Sequence, residues 1–142
     1  MDPTFTTDWF SRNIPNWEKV LSHLKGKAHV RFLEIGSWEG RSACWLLTNI
    51  LTHPSSQLTC IDTFESGGSY TKEISARFEV LPADLNIEAQ FDRNIHAVGG
   101  ESRTTKLKGK SETLLRKLPL EHFDAIYIDG SHMASNVLTD VM

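Results

Sequence analysis

Residues 32–42, FLEIGSWEGRS, run from an apolar stretch that ends on an acid, through two glycines four apart, into an apolar helical stretch. This order describes a strand, a tight turn and a helix. Gly36 and Gly40 let such a backbone bend sharply and approach a ligand more closely than β-carbons would allow. The charges then select the ligand. Dinucleotide turns read G-x-G-x-x-G and offer a bare helix N-terminus to a pyrophosphate, whereas this one reads G-x-x-x-G and carries Glu34 and Glu39. Two carboxylates repel a pyrophosphate and favour a cofactor with positive charge. A further acid, Asp62, closes the apolar stretch 58–61 at the spacing, roughly 20 residues past the turn, where such folds hold ribose hydroxyls. Its competing role is a cap on the turn that follows.

The elements that must position these groups alternate along the chain. Asn16 is expected to cap a helix with Trp17, Val20, Leu21 and Leu24 on one face, ended by Gly26. Residues 30–35 form the first strand, apolar enough to be a parallel strand covered on both faces. A helix over 42–51, a second strand over 58–62 and a long loop over 65–82 follow; loops of that length are functional or disordered. Asp84 is expected to cap a helix with Ile87, Phe91, Ile95 and Val98 on one face. A third strand (104–107), a helix (111–118), a fourth strand (125–128) and the start of another helix complete the chain. The fold class is α/β: a Rossmann-like parallel sheet with helices on both faces. Right-handed winding then brings Glu34, Asp62, Gly109 and Asp129 to the carboxyl ends of the strands, the rim where ligands gather. Trp17 reads as core, as does Tyr127, whereas Trp9 and Phe10 suit either a lid or the core. Trp38 either flanks the ligand or packs beneath it.

With 142 residues the chain suits one domain, preceded by an N-terminal cap segment and helix (1–28), with the sheet domain over 29–142. The hydrophobic share of 39% and charged share of 23% are ordinary for a globular protein. No apolar run approaches the ~20 residues of a membrane span, and the acidic, polar N-terminus is unlike a signal peptide, so a cytoplasmic location is expected. A net charge of −3 argues against nucleic acid as the main partner. The basic group of Arg103, Lys106, Lys108 and Lys110 reads as the solvated side of an edge strand. Cys44 and Cys60, with no C-x-x-C, read as small core residues.

Two segments carry a family resemblance. LEIGSWEGRS resembles motif I of class I S-adenosylmethionine-dependent methyltransferases, in the branch whose turn reads E-I-G-S-x-x-G-R-S, and YIDGSH (127–132) resembles the strand-four motif of the same branch. That branch includes sugar and macrolide O-methyltransferases and cephalosporin-hydroxylase-like proteins. The resemblance implies S-adenosylmethionine on Glu34, Gly36, Ser37, Gly40 and Ser42, with its ribose on Asp62. Thr63 and Phe64 would line the adenine rim, and Ser111 would be an adenine-side donor, although it is equally placed to cap the next helix. Asp129 is implied as a ligand for Mg²⁺ and His132 as the base for a small-molecule hydroxyl acceptor. The chemistry is sound on its own terms: a hydroxyl must lose its proton to attack, and imidazole, titrating near ~6.5, can take it at neutral pH. The bland alternative makes Asp129 a cap and His132 a first-turn residue.

The family's sheet has seven strands in the order 3-2-1-4-5-7-6, and this chain supplies the 3-2-1-4 part, without strands 5–7 or the acidic pair that completes the metal site. Strand four is then an exposed edge, to be covered by a second copy, a partner or the remainder of a longer reading frame. Three functions are consistent with the sequence. The first is a metal-assisted O-methyltransferase or its cofactor-binding part; the second is a non-catalytic remnant that binds cofactor or a partner. The third, a nucleotide-dependent oxidoreductase or hydroxylase, is disfavoured by the missing G-x-G-x-x-G.

Overall fold

A computed structural model of the chain describes residues 2–65, 85–119 and 122–129. Most of the 65–82 loop, Asp84, His132 and the C-terminal helical stretch lie outside the described residues. The sheet is built from β1 (Arg31–Ile35), β2 (Gln57–Asp62), β3 (Thr104–Lys108) and β4 (Ala125–Ile128), all parallel, in the order β3-β2-β1-β4. This is the expected Rossmann-like arrangement. Helix α2 (Arg41–Asn49) links β1 to β2, α3 (Ile87–Ala97) precedes β3, and the short α4 (Ser111–Leu114) precedes β4.

Strand alternation divides the core into two layers. Phe32, Leu58 and Cys60 face α2 and α3 in the larger cluster, with Leu46, Leu47, Phe91 and Ile95, while Leu33, Ile35 and Ile61 face Leu107, Leu114, Leu115 and Leu118. Helices thus cover both faces, and β1, buried from Phe32 to Ile35, is the central strand that its apolar sequence predicts. Cys44 and Cys60 are free, buried thiols, as expected. At the other end of the sheet, Ile126 of β4 is 56% exposed on the second face.

The N-terminal helix begins earlier than its cap residue suggests. It spans Ile14–Leu21 (α1), with Asn13 at the N-cap and no side-chain capping bond. Pro15 explains the shift, since a proline is preorganised for the first turn of a helix. Leu21 and Leu24 are buried but Val20 is 66% exposed; at ~100° per residue it lies a full step round from Leu21, outside the stripe that Trp17 and Leu21 define. The cap of α3 is Asn86, whose side chain accepts from the Ala89 N–H at 3.0 Å.

The basic edge has a structural assignment. Lys106 Nζ lies 2.9 Å from Glu88 and 2.8 Å from Asp92, and Lys108 Nζ lies 2.6 Å from Glu88. Lysines of the edge strand are therefore paired with acids on α3. Solvent screens each of these pairs, but together they fix α3 over the edge and cover it with charge.

Candidate functional site

The carboxyl ends of the strands are laced into one rim. Gly36 N–H donates to the Ile61 carbonyl (2.8 Å), Gly109 N–H to that of Asp62 (2.9 Å) and Asp129 N–H to that of Ile35 (2.7 Å). Glu34, Asp62, Gly109 and Asp129 therefore share the rim that the winding predicts.

Glu34 has the most unusual setting. It is fully buried, and among the described residues neither carboxylate oxygen has a hydrogen-bond partner. Burial pushes its pKa up to about 8; the Ser42 and Ser37 hydroxyls pull against this, and the Asp129 and Asp62 carboxylates add to it. Neither hydroxyl stands in hydrogen-bonding geometry to it, and Ser37 Oγ is itself buried without a partner. A carboxyl group held this way takes either a proton or a cation.

Asp62 is preorganised rather than loose. Its Oδ2 accepts from Trp38 N–H and its Oδ1 from Phe64 N–H, both at 2.8 Å. Burial raises its pKa, and the backbone N–H groups of Trp38, Phe64, Ser37 and Thr63 oppose the rise. Each oxygen keeps acceptor capacity after one N–H. The same bond holds the turn in place, because Trp38 sits at φ +51°, a left-handed conformation that costs a non-glycine residue roughly 1–2 kcal/mol.

Several expectations are corrected by what these residues touch. Gly40, at φ +84°, ends the turn, but its close approach is to the core: a β-carbon there would stand 3.0 Å from the Phe91 ring. Gly36, at φ +93°, is the glycine that turns the chain at the rim. Glu39 lines the same cavity as Gly36 and Ser37, but its charge is not left open. Its carboxylate is buried and engaged by Thr6, whose N–H and hydroxyl donate at 3.0 and 2.8 Å. Phe10 is no lid; it is buried edge-on against Trp17 at 4.7 Å, with Trp45 at 5.7 Å. Phe64 likewise turns its ring into the core, 5.1 Å from Phe91. Thr63 is half-buried beside Asp62, and Ser42 is buried in the first turn of α2. The cap of α4 is Lys110, leaving Ser111 as the first helical residue. Tyr127 packs on Trp17 at 4.4 Å as a core residue should, but its hydroxyl also meets Asp129; burial, then that carboxylate, raises its pKa.

The sequence reading misses Asn94. It is buried, donates to the Glu39 carbonyl (2.8 Å) and the Thr4 carbonyl (2.9 Å), and accepts from Thr4 N–H (2.8 Å). Together with Glu39–Thr6 and the Arg41 Nε bond to the Thr7 carbonyl (3.1 Å), it straps residues 4–8 across the turn. A polar side chain on the apolar face marked by Ile87, Phe91 and Ile95 was the available signal.

Among the described residues no three His, Cys, Asp or Glu side chains group as a metal site. Asp129 by itself does not fit Mg²⁺, which demands an octahedron of oxygens. A cationic nucleoside fits better: unpartnered Glu34, preorganised Asp62 and the turn at Gly36 stand together.

Comparison with known proteins bears on the family and the fold. Residues 33–142 match the profile of a family described as a methyltransferase domain. The chain belongs to that family. No curated protein sequence matches this chain. Among solved structures, a methyltransferase from Thiobacillus denitrificans, dependent on S-adenosylmethionine and solved with S-adenosylhomocysteine, is similar at 16% identity with a TM-score of 0.55. It aligns with 96% of this chain, which covers 45% of its length. A candidate enzyme of the same description from Methanococcus maripaludis aligns at 12% identity with a TM-score of 0.48, over 99% of this chain and 60% of its own. The methyltransferase domain thus shares the Thiobacillus protein's fold while spanning less than half its length. Among the described residues no helix is long and apolar enough to cross a membrane.

Proposed function

We propose that the chain is the cofactor-binding part of an S-adenosylmethionine-dependent O-methyltransferase acting on a small-molecule hydroxyl. The observation that supports this most is Glu34, buried at the rim with both oxygens unpartnered among the described residues. A cationic ligand relieves that state, whereas a pyrophosphate worsens it. The S-adenosylhomocysteine held by the Thiobacillus neighbour favours the same ligand here.

In this reading Glu34 balances the ligand's ammonium, and Gly36 and Ser37 pass beneath its methionine end. Asp62 accepts from the ribose hydroxyls with the lone pairs that Trp38 and Phe64 leave over. Ser111 stands on the adenine side. S-adenosylmethionine, when bound, supplies an electrophilic methyl group on a sulfonium. His132 takes the acceptor's hydroxyl proton as its oxygen attacks, and Asp129 at the end of β4 orients the acceptor. Mg²⁺ assistance belongs to the reading only with oxygen ligands beyond Asp129. The N-terminal segment, residues 1–28, caps the turn.

The test is a methyl-transfer assay over a panel of small hydroxyl compounds, comparing the chain with His132→Ala. Cofactor affinity should stay within about twofold while kcat falls by roughly 10²–10⁴ and its dependence on a group titrating near neutrality disappears. An unchanged kcat removes His132 as the base. Methyl transfer by the chain to amines or thiols and not to hydroxyl compounds contradicts the O-methyl assignment.

A further inference from the structure

We propose that Glu39 is a positioning residue for cofactor binding: through Thr6 it ties residues 4–8 to the turn between β1 and α2, so that closure of this strap and binding of the ligand are coupled. This rests on the S-adenosylmethionine reading above and adds a residue outside the ligand contacts which that reading names.

The turn holds an unfavourable backbone shape. Trp38, at φ +51°, stands between Gly36 and Gly40, which are also left-handed, and a non-glycine residue in that region persists only where its surroundings over-determine it. Two restraints meet at the next residue, Glu39. The peptide between Glu39 and Gly40 is fixed on both sides: its carbonyl accepts from Asn94 Nδ2 (2.8 Å) and its N–H donates to the Ser37 carbonyl (2.8 Å). The buried Glu39 side chain is held from the strap, its Oε1 accepting from the Thr6 N–H (3.0 Å) and the Thr6 hydroxyl (2.8 Å).

Asn94 joins the two restraints. The amide that holds the Glu39 carbonyl also donates to the Thr4 carbonyl (2.9 Å) and accepts from Thr4 N–H (2.8 Å), so turn, strap and α3 share one hydrogen-bonded unit. The strap also shapes the space beside the turn. Thr7 within it, with Trp9 and Phe10 just after it, lines a cavity of about 40 Å³ together with Gly36 and Ser37, room for a few waters when one needs ~10–15 Å³. Walls this close cannot shift without changing the space at Gly36 and Ser37. Thr4 and Thr6 are themselves exposed, so water competes for their bonds, and closure is an equilibrium that Glu39 and Asn94 bias. A ligand that prefers the closed strap is favoured by the same factor with which it favours closure.

Isothermal titration with S-adenosylhomocysteine, alongside amide hydrogen exchange at Thr4 and Thr6, reads the coupling from both ends. Glu39→Ala should weaken binding by about 5- to 50-fold, and saturating ligand should slow exchange at both amides of the parent by a comparable factor. Glu39→Gln should return affinity to within about threefold of the parent, because both shorter Thr6 bonds end on one oxygen. Thr6→Val, a change at an exposed position, removes the hydroxyl alone and should weaken binding about 2- to 10-fold. Circular dichroism and urea midpoints separate these losses from changes in stability. Three results overturn the coupling while the cofactor assignment stands: parent-like affinity in folded Glu39→Ala or Thr6→Val, no recovery in Glu39→Gln, or exchange at Thr4 and Thr6 that is indifferent to ligand. A parent chain that binds no S-adenosylhomocysteine overturns both.

Discussion

Replacing Glu34 by Gln should abolish a fall in stability that the parent chain shows as pH rises from about 4.5 to about 8. The unfolded carboxyl loses its proton near its model value of 4.5, while the folded one keeps it to about 8. Between those limits the native state binds more protons than the unfolded state, so stability drops with pH, by up to ~1.4 kcal/mol per unit. Glu34→Gln has no such proton, and urea midpoints measured across this window should converge toward, then exceed, those of the parent. The substitution also removes the charge that a cation needs. Cofactor affinity should fall about 10- to 100-fold, the scale of one hydrogen bond to a charged group. A cation draws Glu34 toward its ionised form, so binding near neutral pH should release a proton in the parent and none from this group in Glu34→Gln. Titrations in buffers of different ionisation enthalpy measure that directly. A parent chain with no pH slope relative to the variant would show that Glu34 is solvated and already charged.

The second large effect belongs to Asp62→Ala. Two backbone donors, Trp38 N–H and Phe64 N–H, lose their acceptor, and each buried donor left unsatisfied costs ~1–3 kcal/mol. A loss of about 2–4 kcal/mol in urea unfolding is expected, together with about a 100-fold or greater loss of S-adenosylhomocysteine affinity. The two effects share one cause, because the carboxylate that shapes the turn also offers its remaining lone pairs to the ribose. Asp62→Asn separates them. Its amide oxygen can accept from one of the two N–H groups, so stability should recover in part, while the NH₂ now points a donor where an acceptor is required. Wild-type affinity in Asp62→Ala would remove Asp62 from the ligand.

Parallel pairing and the shared rim were legible because each depends on local pattern, while the strand order came with the family resemblance. An apolar run ending on an acid, repeated at Glu34, Asp62 and Asp129, places the carboxyl ends without knowledge of tertiary contacts. What the sequence concealed is the direction in which a side chain faces. Glu39 lies five residues from Glu34, in the same turn, and the two read alike; one faces its own unpartnered burial and the other Thr6 of a distant segment. Gly40 has a ligand-binding spacing, but its missing β-carbon makes room for Phe91, which arrives from α3. Phe10 belongs to a stretch without helical period, yet Trp17 and Trp45 enclose it. Each correction comes from a partner more than five residues away, and period-based reasoning has no access to such pairs. Asn94 is the instructive exception, since a lone amide on an apolar helical face marks a buried polar contact even when its partners are unknown.

The Glu34 proton and the ligand contacts of Asp62 both depend on one event, the binding of a cationic adenosyl ligand at the turn between β1 and α2. The direct measurement is a titration of the chain with S-adenosylmethionine, with NAD as the competing ligand and Glu34→Gln as the control. Saturable binding of S-adenosylmethionine with proton release, weakened in Glu34→Gln and not reproduced by NAD, is the expected result. No binding at high micromolar S-adenosylmethionine, or a preference for NAD, would contradict it.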